Sequence, residues 1–251
     1  MAGPSNPPTV ASAPVLSFRN RIINGAFAVN QRGTGTVSTT YAAGAFVRDR
    51  WKAGPGGCTM SSAVQPNGDV AVTITAGTLV QVIEGGLYVL EGGSYVLSWQ
   101  GTATARVYQD TASGAYAASS VSVSGLTAGG DTTVEFGPGT LSLAQFEPGT
   151  TATTFERRDD ELSRCQRYFA FANINYRFNY AGSGYSEQLL QFPKTMRANP
   201  SIVLFTIGIH TNAGTGVVYG VTPAKANVYY QVSAAGDTYV LNEVFSASAE
   251  L

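Results

Sequence analysis

Residues 92–109, GGSYVLSWQGTATARVYQ, decide the fold class. Tyr95, Leu97 and Trp99 share one parity while Val96, Ser98 and Gln100 share the other, the two-residue period of a strand with one face on a core. Gly-Gly pairs starting at Gly85 and Gly92 separate this segment from its neighbours as hairpin turns would. Working outward, VAVTIT (70–75) and TLVQVIEGGLYVL (78–90) read the same way, and from Arg21 to about Phe155 the chain is a series of short strands broken by turns. The composition agrees. Of 251 residues 44% are apolar and only 12% charged, 29 are Gly, and Val, Thr, Tyr and Phe are plentiful, a profile that favours an all-β sandwich or jelly roll.

The stretch LAQFEPGTTATTFERRDDELSRCQRYF (143–169) interrupts this period. After the turn dipeptide Pro148-Gly149 and the β-branched run TTATTF, the residues Leu162, Cys165, Tyr168 and Phe169 fall at the spacing of one helical face. Eight charged side chains crowd into Glu156–Arg167. Acids in a first turn and Arg residues later complement a helix dipole, Asp159 can cap the start, and Asp160 can pair with Arg164. The spacing predicts a short helix from about Asp159 to Ala170, a structural joint between two β modules.

Beyond the joint, strand patterns return in INYRFNY, QLLQFP, SIVLFTIGIH, GVVYGV, NVYYQV and TYVLNEVFSASAEL. The predicted organisation is an extended Pro-rich arm (1–19), a jelly-roll domain (20–156), a helical connector (157–172) and a second, smaller β-sandwich module (173–251). Four of the eleven prolines lie within residues 1–16, which suits extended chain better than a packed core. About 80 residues make a small sandwich to stand alone, so a homo-oligomer, most simply a trimer, is expected.

Several function classes lose their footing. A net charge of -1 with only three Lys gives no electrostatic footprint for nucleic acid or for an anionic membrane. No apolar run nears the length of a membrane span, and the amino terminus lacks the blocks of a signal peptide, so a soluble chain made in the cytoplasm is expected. With one His, and with Cys58 and Cys165 far apart, neither a disulfide framework, a metal site nor a His-based triad has its usual residues, and no cofactor is expected. A glycosidase needs two carboxylates at a defined separation. Here Asp159, Asp160 and Glu161 are absorbed by helix capping, Glu147 by the Glu-Pro-Gly turn and Asp49 by an ion pair with Arg50, so the chain is read as a non-enzyme.

The segments Gln145–Gly149, Ala152–Arg158, Glu161-Leu162 and Cys165–Tyr168 resemble a signature of bacteriophage tail-fibre, tail-spike and head-fibre proteins, in which a last jelly-roll strand runs into a short helix. NRIINGAFAVNQRG (20–33) followed by FVRDRW (46–51) is similar to the opening of the same module, and FPKTMRANP (192–200) resembles an element of the β module that often follows. Phage-derived gene-transfer-agent spikes fit equally well. The resemblance implies a virion appendage, assembled in the bacterial cytoplasm, commonly trimeric, with a carbohydrate-binding-like jelly roll and contact with host surface polysaccharide. On this reading the arm joins other virion proteins and the C-terminal module binds the receptor; the alternative is a purely structural connector or decoration protein.

Glycan binding relies on aromatic rings against sugar C–H faces, with amides, acids and Arg as hydrogen-bonding partners. Trp99, on an alternating apolar face, and Trp51, in the resembling element, read as core; Tyr108 and Tyr116 are open between core and ligand. The candidates in the second module are Tyr180 and Tyr185 around the loop YAGSGY, supported by Tyr229 and Tyr230, which must point to opposite faces of any strand, and by His210 and Asn212.

Overall fold

A computed structural model describes residues 19–251. The chain is all-β, with two short helices among the described residues. The arm expected over 1–19 lies outside them, save for Arg19.

The first module contains β1 (Thr39–Tyr41), β2 (Phe46–Arg48), β3 (Trp51–Val64), β4 (Val70–Ile83), the one-turn α1 (Gly85–Tyr88), β5 (Gly93–Gln100), β6 (Ala105–Gln109), β7 (Val121–Leu126), β8 (Thr132–Phe136) and β9 (Gly139–Pro148). All pair antiparallel, in the order β1-β3-β4-β9-β5-β7, with β8 and β6 branching from β4. The two segments read separately at 70–75 and 78–90 share this one strand, β4. Its first half meets β9 and its second half meets β8. Gly77 sits at the change of direction with φ +69°, and a Cβ there would lie 2.1 Å from the Gly57 carbonyl oxygen, so only glycine fits. At Gly85 the expected hairpin turn is instead the single turn α1, whose first N–H donates to Asp131.

The core between the layers is aromatic. Trp51 lies between Phe27 (4.8 Å) and Phe136 (5.9 Å), Trp99 meets Phe136 edge-on at 5.2 Å, and Tyr95 stacks on Phe146 at 4.8 Å. Each buried indole N–H has an acceptor, Asn24 O for Trp51 and Ala103 O for Trp99, as burial of a polar tip requires. Val96 is buried as well as Tyr95 and Leu97, because β5 is flanked by β9 and β7 and covered on its second face.

Helix α2 (Glu161–Gln166) is shorter than its apolar spacing predicts. Phe169 and Ala170 pair with Ser248 and Ala247 instead of extending it, so sheet formation overrides the local period. No side chain caps α2. The Asp160 carboxylate is taken by Arg164 Nε at 2.8 and 2.9 Å.

The second module holds β10 (Phe169–Tyr180), β11 (Gly184–Gln191), β12 (Ser201–Thr206), β13 (Ile209–Thr211), β14 (Val217–Tyr219), β15 (Lys225–Val232) and β16 (Gly236–Ser248). One sheet runs β10-β16-β12, with β13 also on β16; the other runs β11-β15-β14. Between them lies a separate core around Ile174, Leu190, Val228, Tyr230, Val240 and Phe245.

The expected Asp49–Arg50 ion pair is absent. Asp49 instead accepts the backbone N–H of Gln31 at 2.6 Å and its side-chain amide at 2.7 Å, while Arg50 turns to Glu250 across the joint between modules.

Candidate functional site

Strand alternation in β15 sends Tyr229 outward and Tyr230 inward. Pairing then sets Tyr229 opposite both Glu187 on β11 and Val217 on β14, and Tyr219 opposite Asn227. Tyr185, Tyr229 and Tyr219 consequently step diagonally across the outer face of the three-stranded sheet. Tyr185 meets Tyr229 at 5.5 Å with the rings at 87°, and Tyr219 meets Tyr229 at 5.9 Å with a 58° tilt. Tyr185 is 68% exposed and Tyr219 40%. Glu187, Asn227 and Gln231 share this face, and hydrogen bonding to the Glu187 carboxylate raises the Tyr219 phenol above its ordinary pKa. The arrangement offers a ring 68% free of neighbours, a second ring buttressing it edge-on, and an amide and a carboxylate within the same few strands.

Tyr230 and His210 are brought together, but on the inner side. Tyr230 is fully buried and donates its phenol to Glu243 Oε1 at 3.0 Å; His210 Nε2 meets the other oxygen of the same buried carboxylate, and its Nδ1 lies 3.0 Å from the Gly214 carbonyl oxygen. Both ring nitrogens therefore face oxygen atoms. Burial, followed by the Glu243 charge, raises the Tyr230 phenol far above its usual range. A Cβ at Gly216 would stand 2.8 Å from the Tyr230 ring and 2.9 Å from Glu243, so glycine lets β14 close over the group. Tyr230 thus offers no face to a sugar, and with His210 it satisfies a buried acid.

Asn212 is also structural. Its side-chain oxygen accepts from Ser233 and from the Ala234 N–H, and its amide donates to Ala234 O and Thr238 Oγ1, which pins a residue at φ 53°. Tyr180 lies at the end of β10 on the other sheet, half-buried against Phe178 at 5.3 Å, so it does not join Tyr185. Tyr219 was missed in the sequence. Its parity in GVVYGV is legible there, but its proximity to Tyr229 depends on the pairing of β14 with β15.

In the first module Tyr108 and Tyr116 flank the Arg106 guanidinium, at 5.4 and 4.7 Å, and Arg106 Nε donates to the buried Glu135 at 2.8 Å. Burial pushes the Tyr116 phenol up to about 12. Their rings serve this ion pair. Burial also pushes the Cys58 thiol up to about 11 and the Cys165 thiol well above its ordinary range, which suppresses thiolate chemistry. No cluster of three or more His, Cys, Asp or Glu side chains suited to a metal occurs among the described residues, and no helix among them is long and apolar enough to cross a membrane.

No protein-family model, no curated protein and no solved structure matches this chain.

Proposed function

We propose that the chain is a virion appendage, a tail fibre or head spike, that attaches a phage-like particle to its host by binding surface polysaccharide through the C-terminal module. The observation that carries this reading is the outward tyrosine ladder Tyr185–Tyr229–Tyr219 bordered by Glu187, Asn227 and Gln231. An exposed aromatic ring on a rigid strand can lie against the C–H face of a sugar, and neighbouring amide and carboxylate groups suit its hydroxyls. The resemblance of residues 20–33, 46–51, 143–169 and 192–200 to phage fibre proteins supports the same reading. A shallow face of this kind binds weakly per site and gains strength when several copies are presented together.

The test is binding of the purified protein, immobilised in many copies, to a panel of isolated bacterial surface polysaccharides. The double variant Tyr185→Ala/Tyr229→Ala is expected to lower binding at least about tenfold, roughly 1.4 kcal/mol, with its circular dichroism spectrum unchanged. Unaltered binding in that variant, or binding by no polysaccharide in the panel with the native protein, would sink the proposal. Release of shortened oligosaccharides would move the protein to the hydrolases.

A further inference from the structure

The sheet on the other side of the second module carries a different surface. Its strand β12 pairs only with β16 among the described residues, so β12 is an edge. The run SIVLFTIGI (201–209) that forms this edge and leads into β13 contains no charged residue and no proline. Natural sheets protect edges with such residues, because an unpaired row of N–H and C=O groups otherwise pairs with any strand that reaches it. This edge lacks both, with only a register shift between Leu204 and Thr206 to interrupt it, and it is also apolar on its open face. Val203 is 59% exposed, Phe205 63%, Ile207 71% and Ile209 61%, with Leu241 beside Ile209 in register. Phe205 continues inward over the sheet onto Phe171 at 4.7 Å, and Phe171 onto Phe169 at 5.2 Å. The exposed ion pair Arg177–Asp237 sits at the far end of the sheet, where β10 meets the start of β16.

We infer that this edge and face form the contact between copies of the chain. The five exposed side chains present on the order of 500 Å² of contiguous apolar surface, at the upper end of what a lone soluble protein shows. With a polar rim it approaches the roughly 800 Å² that each partner contributes to a stable complex. Because its exposed side chains Val203, Phe205, Ile207, Ile209 and Leu241 carry no charge, its complement must be apolar and able to offer a strand edge. A second copy supplies both with the same residues, a self-complementary contact that closes a two-fold pair and so departs from the trimer expected from the sequence. The tyrosine ladder belongs to the opposite sheet, so association through β12 leaves it open and repeats it in each assembly. The contact does not depend on polysaccharide binding.

The experiment is sedimentation velocity on the full chain at micromolar concentration, native and with Phe205→Asp or Ile207→Ser, each checked by circular dichroism, with Val64→Asp in the first module as control. The native protein is expected to sediment as an oligomer and Phe205→Asp as a single folded chain, with Val64→Asp like the native protein. If Phe205→Asp does not fold, Ile207→Ser, at the most exposed position, is expected to weaken association at least about tenfold. A Thr206→Cys chain, whose other cysteines are buried, is expected to cross-link to its own kind under mild oxidation. A monomeric native protein, an oligomer that survives both substitutions, or one dissociated equally by Val64→Asp would overturn the assignment.

Discussion

Arg50 reaches Glu250, 200 residues further along the chain, and both side chains are almost wholly buried. Around that contact the two modules are locked together. Arg32 Nη2 bonds the second Glu250 oxygen at 3.0 Å, the Arg50 guanidinium lies 3.6 Å above the Tyr168 ring, and Arg50 also donates to Val82 O at 2.6 Å. The backbone joins in, with the Ala249 N–H on Tyr168 O and Lys52 Nζ on Leu251 O. One carboxylate thus pairs with two guanidinium groups at the seam.

Removing one partner of a buried pair costs more than the pair was worth, because the other charge stays buried without compensation. Glu250→Gln keeps the shape and removes the charge, leaving Arg32 and Arg50 without the carboxylate they share, though Asp49 still acts on Arg32. It is expected to cost about 3–5 kcal/mol in urea unfolding. A loss under about 1 kcal/mol would show that the seam is held by backbone and packing alone.

Glu135 sets an acid limb on stability. Burial raises its pKa, but hydrogen bonds from Tyr116, Thr78 and Arg106, with the Arg106 charge, outweigh burial and bring it below the ordinary value near 4.5. A carboxylate depressed in the folded state contributes stability above its unfolded pKa and loses it as pH falls through the folded one. Asp49 works with opposite sign, since burial raises it from 3.8 and its contribution is lost as pH rises. The whole-protein curve mixes the two. The difference between native protein and Glu135→Gln separates them: the native advantage is expected to be full at pH 6 and to shrink as pH falls below about 4.5. A difference independent of pH would remove Glu135 from this role.

The fold class was legible because alternation is local: Tyr95, Leu97 and Trp99, of one parity in the sequence, are all buried in the structure, while the burial of Val96 on the other parity was not readable from the alternation. The charge cluster was half legible. Asp160 and Arg164, four apart, pair as read, but Glu161 and Arg158 turn away from the helix to the segment at Asn20–Asn24, where Arg158 donates to Asn20 O and Ile22 O. Such contacts span more than 130 residues and leave no trace in local spacing. The site followed the same rule. That Tyr229 and Tyr230 oppose each other is a property of one strand, whereas the meeting of Tyr229 with Tyr185 and Tyr219, and of Tyr230 with Glu243, is set by registers between strands.

These two adjacent tyrosines give the sharpest separation of stability from binding. Tyr230 supplies one hydrogen bond to a carboxylate that has no access to water, so Tyr230→Phe removes a donor from a buried acid while keeping the ring. The expected loss is about 1.5–3 kcal/mol, the range for hydrogen bonds to charged groups, with polysaccharide binding by the folded protein unchanged. Tyr229 is only half-buried, on the outer face, so Tyr229→Ala is expected to change unfolding by less than about 1 kcal/mol. Under the proposed function its effect falls on polysaccharide binding, because it removes the ring that buttresses Tyr185 edge-on at 5.5 Å and leaves Tyr185 free to turn. Urea unfolding and polysaccharide binding, measured on both variants, read the two roles apart. Destabilisation by Tyr229→Ala comparable to that of Tyr230→Phe, or loss of binding by folded Tyr230→Phe alone, would mean that the inner and outer faces of β15 have been assigned the wrong roles.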